Sequence, residues 1–332
     1  MANLTTEQTH DLIVDALVRS NTSQANANSV ATALVGAELA GQSGHGLRRV
    51  ESYAAQAASG KVDGHAVPVA DQTAPSALAV DASHGFAYPA MDLIHAQLPG
   101  MAKANGIAMA GVRRSHHCGV AGLIVEKFAD QGLVAMMFAN TPAAMAPWGG
   151  KTALFGTNPI AFAAPQAAGE PVVVDVSLSK VARGKIMAAN QKGDAIPEGW
   201  ALGPDGENTT DPKVGLQGTM VPMGDAKGTA LALMVELMAA GLTGANTADN
   251  ASSFFEAEGQ APGVGQSIIA IDPTKFGGAG ALAHMGALIG KIDAEPGARV
   301  PGQRRHDIRE KLTKNGIEID DDLLNVIQSI GN

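Results

Sequence analysis

Residues 267–283 read SIIAIDPTKFGGAGALA. A β-branched apolar run is followed by a glycine cluster, GAGALA at 278–283, that satisfies the G-x-G-x-x-A pattern of a dinucleotide-binding turn. In a working turn of that kind the glycines close the strand directly onto a helix, within an early βαβ unit, so that backbone amides reach a pyrophosphate. Here DPTKFG stands between the strand and the glycines, and the whole segment comes late in the chain. The reading that follows is an ordinary helix start.

Working outward, ALAVDA, GIAMAGVRRS, GLVAMMFANT, NPIAFAAP and PVVVDVS are short β-like runs that end in polar or turn residues. PAMDLIHAQLPGMAKANG and VAGLIVEKFADQG lie between them with helical character, and that alternation predicts an α/β or α+β domain with a mixed sheet and flanking helices. Before the sheet, Thr5 and Gln8 have capping-box spacing and open an amphipathic helix over 6–19; a second helix is expected from Ser23 to Leu39. Residues 190–220 read as a polar surface excursion, 226–242 as a helix, and the tail from Glu295 as helical and charged. The expected organisation is an N-terminal helical segment at 1–75, a mixed α/β region at 76–290 and a C-terminal helical segment at 291–332.

The 332 residues carry a formal net charge of −9 and no long basic run, which argues against a nucleic-acid partner or an anionic membrane surface. Hydrophobic residues make up 45% and aromatics only 4%, so the core is expected to be built from small aliphatic side chains. The single cysteine, Cys118, cannot form an intramolecular disulfide and suits a reducing compartment. MANLTTEQTHD lacks the basic start and apolar core of a secretory signal. GTALALMVELMAAGL (228–242) is interrupted by Glu236 and is too short to span a bilayer, so a cytoplasmic protein is expected.

SGHGLRR (43–49) places His45 between two glycines and close to Arg49. An imidazole can deliver a proton near neutral pH, and a guanidinium can grip a carboxylate through two parallel hydrogen bonds. Reduction of a 2-oxo or 2-imino acid needs both. SHHCGVAG (115–122) offers adjacent histidines before a glycine-rich helix entry; no Cys/His partner pair exists elsewhere, so a metal is not expected, and backbone amides that start a helix and receive phosphate are the remaining use. ALFGTNPIAF (153–162) and VVVDVSLSKVARGKI (172–186) end apolar strands in small polar groups, PMGDAKG (222–228) places Lys227 at a helix start, and RVPGQRR (299–305) gathers three arginines in an otherwise acidic chain.

Taken in order, these segments resemble the malate/L-lactate dehydrogenase family along nearly the whole chain, and within it the branch that reduces Δ1-piperideine-2-carboxylate and Δ1-pyrroline-2-carboxylate. The resemblance implies a non-Rossmann nicotinamide-dinucleotide fold, a homodimer and a site formed partly at the subunit interface. It implies His45 as proton donor, Arg49 as the substrate's carboxylate anchor, and Thr157, Arg183 and Gly184 as substrate contacts. For the cofactor, NADPH with NADH as the alternative, it points to His117, Cys118, Gly119, Val120 and Ala121, to Asp175, Val176 and Ser177, to Ala226 and Lys227, and to Arg299, Val300, Pro301, Gly302, Gln303, Arg304 and Arg305.

Two positions depart from the family pattern. The serine usual before the catalytic histidine is Gly44 here, and the aspartate that assists the histidine in the imine-reducing branch is Lys185. A cation near His45 would depress its pKa where a carboxylate would raise it. A cyclic imine that arrives protonated on nitrogen tolerates this, so reduction of a cyclic imino acid is the favoured expectation. A 2-hydroxyacid dehydrogenase of malate, L-lactate or sulfolactate type is the alternative, with Lys185 facing a second anionic group of the substrate. An alternative of another class is a non-catalytic nucleotide-binding protein.

Overall fold

A computed structural model describes residues 1–331. The chain opens with β1 (Ala2–Leu4) and two helices, α1 (Thr6–Arg19) and α2 (Gln24–Leu39). The capping box is formed: Thr5 Oγ1 accepts the Gln8 amide at 3.1 Å and Gln8 Oε1 accepts the Thr5 amide at 2.9 Å. Ile13, Ala16 and Leu17 on α1 and Val30, Ala31 and Leu34 on α2 are fully buried against each other. Two 3-10 turns, Ser43–His45 and Leu47–Arg49, lead into α3 (Val50–Ser59).

The central part runs β2 (Val69–Ala74), β3 (Ala77–Asp81), α4 (Ala87–Asn105), β4 (Ile107–Ser115), α5 (Ala121–Ala129), β5 (Val134–Ala139), β6 (Ile160–Ala164) and β7 (Val172–Val176). α6 (Arg183–Lys192) leads into the polar excursion, which is ordered and carries β8 (Ala201–Leu202), β9 (Asn208–Thr209), α7 (Pro212–Gln217) and β10 (Thr219–Met220), the three strands forming a small sheet in the order β10-β8-β9. α8 (Ala226–Glu236) widens into a π turn over Leu237–Gly241 before β11 (Val264–Ile271).

β11 decides the topology. The main sheet has seven strands in the order β2-β3-β4-β11-β5-β6-β7, with β3 and β4 parallel and every other pair antiparallel. The strand SIIAI therefore inserts between β4 and β5, whose helix α5 packs beside them, and the sheet is mixed, as its sequence pattern predicts. Ile268 and Ala270 are fully buried in a core rich in alanine, with Phe128 and Met137 as the large members. Gly265 lies under the π turn, where a Cβ would overlap the Ala239 carbonyl, so the bare backbone lets the helix approach the sheet.

After β11 come α9 (Thr274–Gly277), α10 (Ala281–Asp293), α11 (Gln303–Asn315), β12 (Ile317–Ile319) and α12 (Asp321–Ser329). GAGALA forms a 3-10 turn and the first residues of α10, an exposed helix start. The tail is not purely helical: β12 pairs antiparallel with β1, and Ile317, Ile319 and Ile327 join the core of α1, α2 and α3. Three-residue strands at opposite ends of a chain carry no periodicity long enough to show in sequence. Among the described residues no helix is long and apolar enough to cross a membrane.

Candidate active site

His45 ends the first 3-10 turn after α2. The loop is drawn down by Glu38, whose Oε1 accepts the Leu47 amide at 2.7 Å; a Cβ on Gly46 would collide with that carboxylate. Gly44 is different: nothing lies within 4 Å of where its Cβ would stand, so the missing serine is a chemical change and not a steric demand. Its carbonyl accepts Arg49 Nε at 2.9 Å, and the guanidinium lies 4.6 Å over the ring of Phe255. Arg49 Nη1 is buried with no hydrogen-bond partner among the described residues, which leaves one edge of the fork open to an anion.

His45 faces His117, which follows β4. The two imidazoles are stacked with centroids 5.1 Å apart, and His45 Nδ1 lies 3.2 Å from His117 Nε2. His117 Nδ1 meets the Tyr53 hydroxyl at 2.5 Å, and Tyr53 meets Tyr88 at 3.1 Å. His116 turns to Gln56, Nε2 to Oε1 at 2.8 Å, while Gln56 Nε2 donates to the Phe254 carbonyl at 2.8 Å. Lys61 Nζ donates to the carbonyls of Ser253 and Glu256, so α3 and the residues after it hold the Phe254–Phe255 loop over the histidines.

Burial, and then the Arg49 charge, push His45 down to about 4 and His116 to about 3; the same causes hold His117 well below the ordinary imidazole range. Burial pushes Tyr53 up to about 12 and the Cys118 thiol to about 12. At neutral pH the cluster is therefore neutral apart from Arg49, and Cys118 is no thiolate nucleophile.

A second group of segments converges beside α5. Asp175 Oδ2 accepts the Gly122 amide at 2.8 Å and lies 3.5 Å from Arg305 Nη2. A Cβ on Gly122 would lie 2.5 Å from Arg305 Nη1, so a side chain there would displace the guanidinium, whose Nη1 is buried with no hydrogen-bond partner among the described residues. The Val173 amide donates to the Pro301 carbonyl, which brings 299–305 against β7. Leu178 bonds both Thr157 and Met223, and Lys180 bonds Val221, so Thr157, Ser177 and the start of α8 with Ala226 and Lys227 lie side by side. Arg299 and Arg304 stay exposed, whereas Arg305 is committed to Asp175.

The Thr157 amide donates to Thr141 Oγ1 at 2.9 Å, next to Asn140, whose Oδ1 accepts the Gly265 amide at 2.8 Å. Arg183 begins α6 and donates to the Leu216 carbonyl at 3.2 Å. Gly184 and Lys185 are exposed, and among the described residues no hydrogen bond or ion pair joins Lys185 to His45. Sequence reading missed Tyr53, Tyr88, Gln56, Gly122 and Phe254–Phe255. Tyr53 alone left a signal: it lies one helical turn after Arg49 and so shares its face.

Residues 4–328 match the malate/L-lactate dehydrogenase family. The chain is 50% identical over 306 residues to a (2R)-3-sulfolactate dehydrogenase (NADP(+)) of Chromohalobacter salexigens, 90% of each chain being covered. It is 37% identical to a Delta(1)-pyrroline-2-carboxylate reductase of Ancylobacter novellus, over 99% of this chain and 97% of that one. The crystal structure of delta1-piperideine-2-carboxylate reductase from Pseudomonas syringae pv. tomato superposes with a TM-score of 0.94 at 37% identity, covering 99% of this chain and 100% of the other. Sequence and overall topology agree, and this chain belongs to the malate/L-lactate dehydrogenase family.

Proposed function

We propose that this protein is an NADP(H)-dependent oxidoreductase of small 2-oxo or 2-imino acids, with Arg49 anchoring the carboxylate and His45 delivering the proton. The observation that carries the reading is the buried, unpartnered Nη1 of Arg49 on the loop that presents His45. A carboxylate on Arg49 sets the C2 atom of the acid beside the imidazole, and the Phe254–Phe255 loop keeps water from the pair.

The residues that would hold the dinucleotide are His117–Ala121, Asp175–Ser177, Ala226–Lys227 and Arg299–Arg305. Their convergence, the bare Gly122 and the unpartnered Arg305 Nη1 fit an anionic ligand lying across the start of α5. When bound, the nicotinamide supplies the hydride. Arg299 and Arg304, exposed and without an acidic partner among the described residues, suit the 2′-phosphate that distinguishes NADPH.

For the substrate, a 2-oxo acid with a second anionic group takes precedence, 3-sulfopyruvate being the lead. Lys185 supplies positive charge where the imine-reducing branch carries an acid, and the relative at 50% identity is named for sulfolactate. Reduction of a cyclic imino acid is the second reading, favoured by the weak basicity of His45, since a preprotonated imine demands little of an acid. A second copy of the chain is the proposed partner. α10 buries none of its own residues, and Leu288 is 62% exposed on it.

The test is initial-rate oxidation of NADPH and NADH with 3-sulfopyruvate, oxaloacetate, pyruvate, Δ1-pyrroline-2-carboxylate and Δ1-piperideine-2-carboxylate. A preference of at least about tenfold in kcat/KM for sulfopyruvate is expected. Preference for the cyclic imines would move the assignment to the second reading, and cofactor binding without turnover of any acid would overturn both.

A further inference from the structure

We propose that Tyr88, Tyr53, His117 and His45 form a proton relay that supplies a proton to His45 Nδ1 from a cavity bordered by Tyr88 as His45 Nε2 gives one to the substrate. The proposal rests on the oxidoreductase reading above and assigns how its proton donor stays free of charge during the transfer.

The contacts form an unbranched line of hydrogen-bonding atoms: Tyr88 to Tyr53 hydroxyl at 3.1 Å, Tyr53 to His117 Nδ1 at 2.5 Å, and His117 Nε2 to His45 Nδ1 at 3.2 Å. His45 Nε2 remains for the substrate. At the other end Tyr88 lines a cavity of about 280 Å³ together with Asp92, His95 and Cys118, which has room for water and groups that exchange protons. Gly119 leaves room for the line to turn there: with φ of +70°, it brings bare backbone to the Tyr88 hydroxyl, which a Cβ would approach to 2.6 Å.

The surroundings exclude the simpler route, in which a stored imidazolium hands over its proton. Arg49, Lys61 and His116 flank the rings, Cys118 is a neutral thiol, and among the described residues no carboxylate is hydrogen-bonded to either His45 or His117. A neutral His45 can still donate, provided that Nδ1 receives a proton as Nε2 loses one. The line allows this without leaving a charge in the core.

Written as bonds, the His45 Nε2–H breaks as the O–H of the reduced substrate forms. His117 Nε2–H passes to His45 Nδ1, the Tyr53 O–H passes to His117 Nδ1, and the Tyr88 O–H passes to Tyr53. A cavity water reprotonates Tyr88, and bulk solvent replaces that proton, so one solvent proton is consumed for each hydride transferred. When product leaves, water entering the site protonates His45 Nε2, while His45 Nδ1–H, His117 Nδ1–H and the two tyrosine hydroxyls each hand one proton back toward the cavity, so both imidazoles return to the Nε2–H tautomer. The relay stands in for the assisting carboxylate that this chain lacks at Lys185.

Tyr88→Phe and Tyr53→Phe keep the packed rings and remove one hydroxyl each. The expected result with a 2-oxo acid is a fall in kcat of about tenfold, within the contribution of a positioned acid, at unchanged KM. The proton inventory in H2O/D2O mixtures should change from bowed to linear, and the loss should be smaller with a preprotonated cyclic imine. Equal losses on both substrates, or an unchanged inventory, would overturn the relay. A second readout needs no turnover: 15N spectra of imidazole-labelled wild type at pH 7 should show His45 and His117 as neutral Nε2–H tautomers, with His117 Nδ1 shifting in Tyr53→Phe. A cationic ring or an Nδ1–H tautomer at either position overturns it. Wild type that oxidises NADPH with no 2-oxo or 2-imino acid fails the oxidoreductase reading instead, and the spectra then decide the hydrogen-bond line separately.

Discussion

His45 and His117, 72 residues apart in sequence, meet as nearly parallel rings with an interplanar angle of 15° and a nitrogen–nitrogen separation of 3.2 Å. Two imidazoles this close cannot both be charged in a buried setting, and Arg49 disfavours charging either one. The pair is therefore neutral at physiological pH, which fixes how it can move a proton.

The rate should follow from that neutrality. A donor with the ordinary imidazole pKa would lose activity as pH rises through 6.5. His45, held at about 4, is already neutral there and donates through its neighbour. For reduction of a 2-oxo acid, log kcat/KM should stay level from pH 5 to 8, with no inflection at the ordinary imidazole value, because the pair stays neutral across that range. A decline of one decade per pH unit above 6.5 in the pH–rate profile would contradict this assignment.

Stability should respond in the opposite sense to the usual gain of a histidine with an acidic partner. His45, His116 and His117 have folded pKa values below 6.5, so between that value and their folded pKa the unfolded chain binds more protons than the native one. Their contribution is complete above pH 6.5 and is lost as pH falls. Scanning calorimetry from pH 7.5 to 5 should show Tm declining already below about 6.5, and His116→Asn should flatten that slope.

Arg49→Lys keeps the charge but not the fork. The KM for the acid substrate should rise by about tenfold to a hundredfold, the value of a charge-assisted hydrogen bond, while the KM for NADPH stays unchanged. Gly44→Ser, by contrast, has open space for its side chain. Its Tm should be unaltered and its turnover changed by less than about twofold, because the proton does not arrive through that position.

The segments beside α5 make a separate prediction. Gly122→Ala drives a methyl into the Arg305 guanidinium and Asp175, so the KM for NADPH should rise by about tenfold or more with the acid's KM little changed. Arg304→Ala leaves that pair intact and should instead reduce the preference for NADPH over NADH by about tenfold. Fluorescence titration of each cofactor would separate the two effects.

What the sequence alone determined was local or resided in contiguous motifs. Thr5 and Gln8 predicted their helix start because a capping box spans only four consecutive residues, and the β-branched runs predicted strands because alternate residues face the core. DPTKFG ruled out the tight glycine turn for a similar reason: six intervening residues cannot close a strand onto a helix. SGHGLRR drew attention to the histidine and the arginine because the two lie within one loop. Tertiary structure decided the rest. Insertion of β11 between β4 and β5 is a long-range pairing that no window of sequence contains. The same is true of the line from Tyr88 through Tyr53 and His117 to His45: its members come from α4, α3, the end of β4 and the turn after α2, each unremarkable where it stands. Burial supplies their depressed basicity, and burial is a property of the packed molecule.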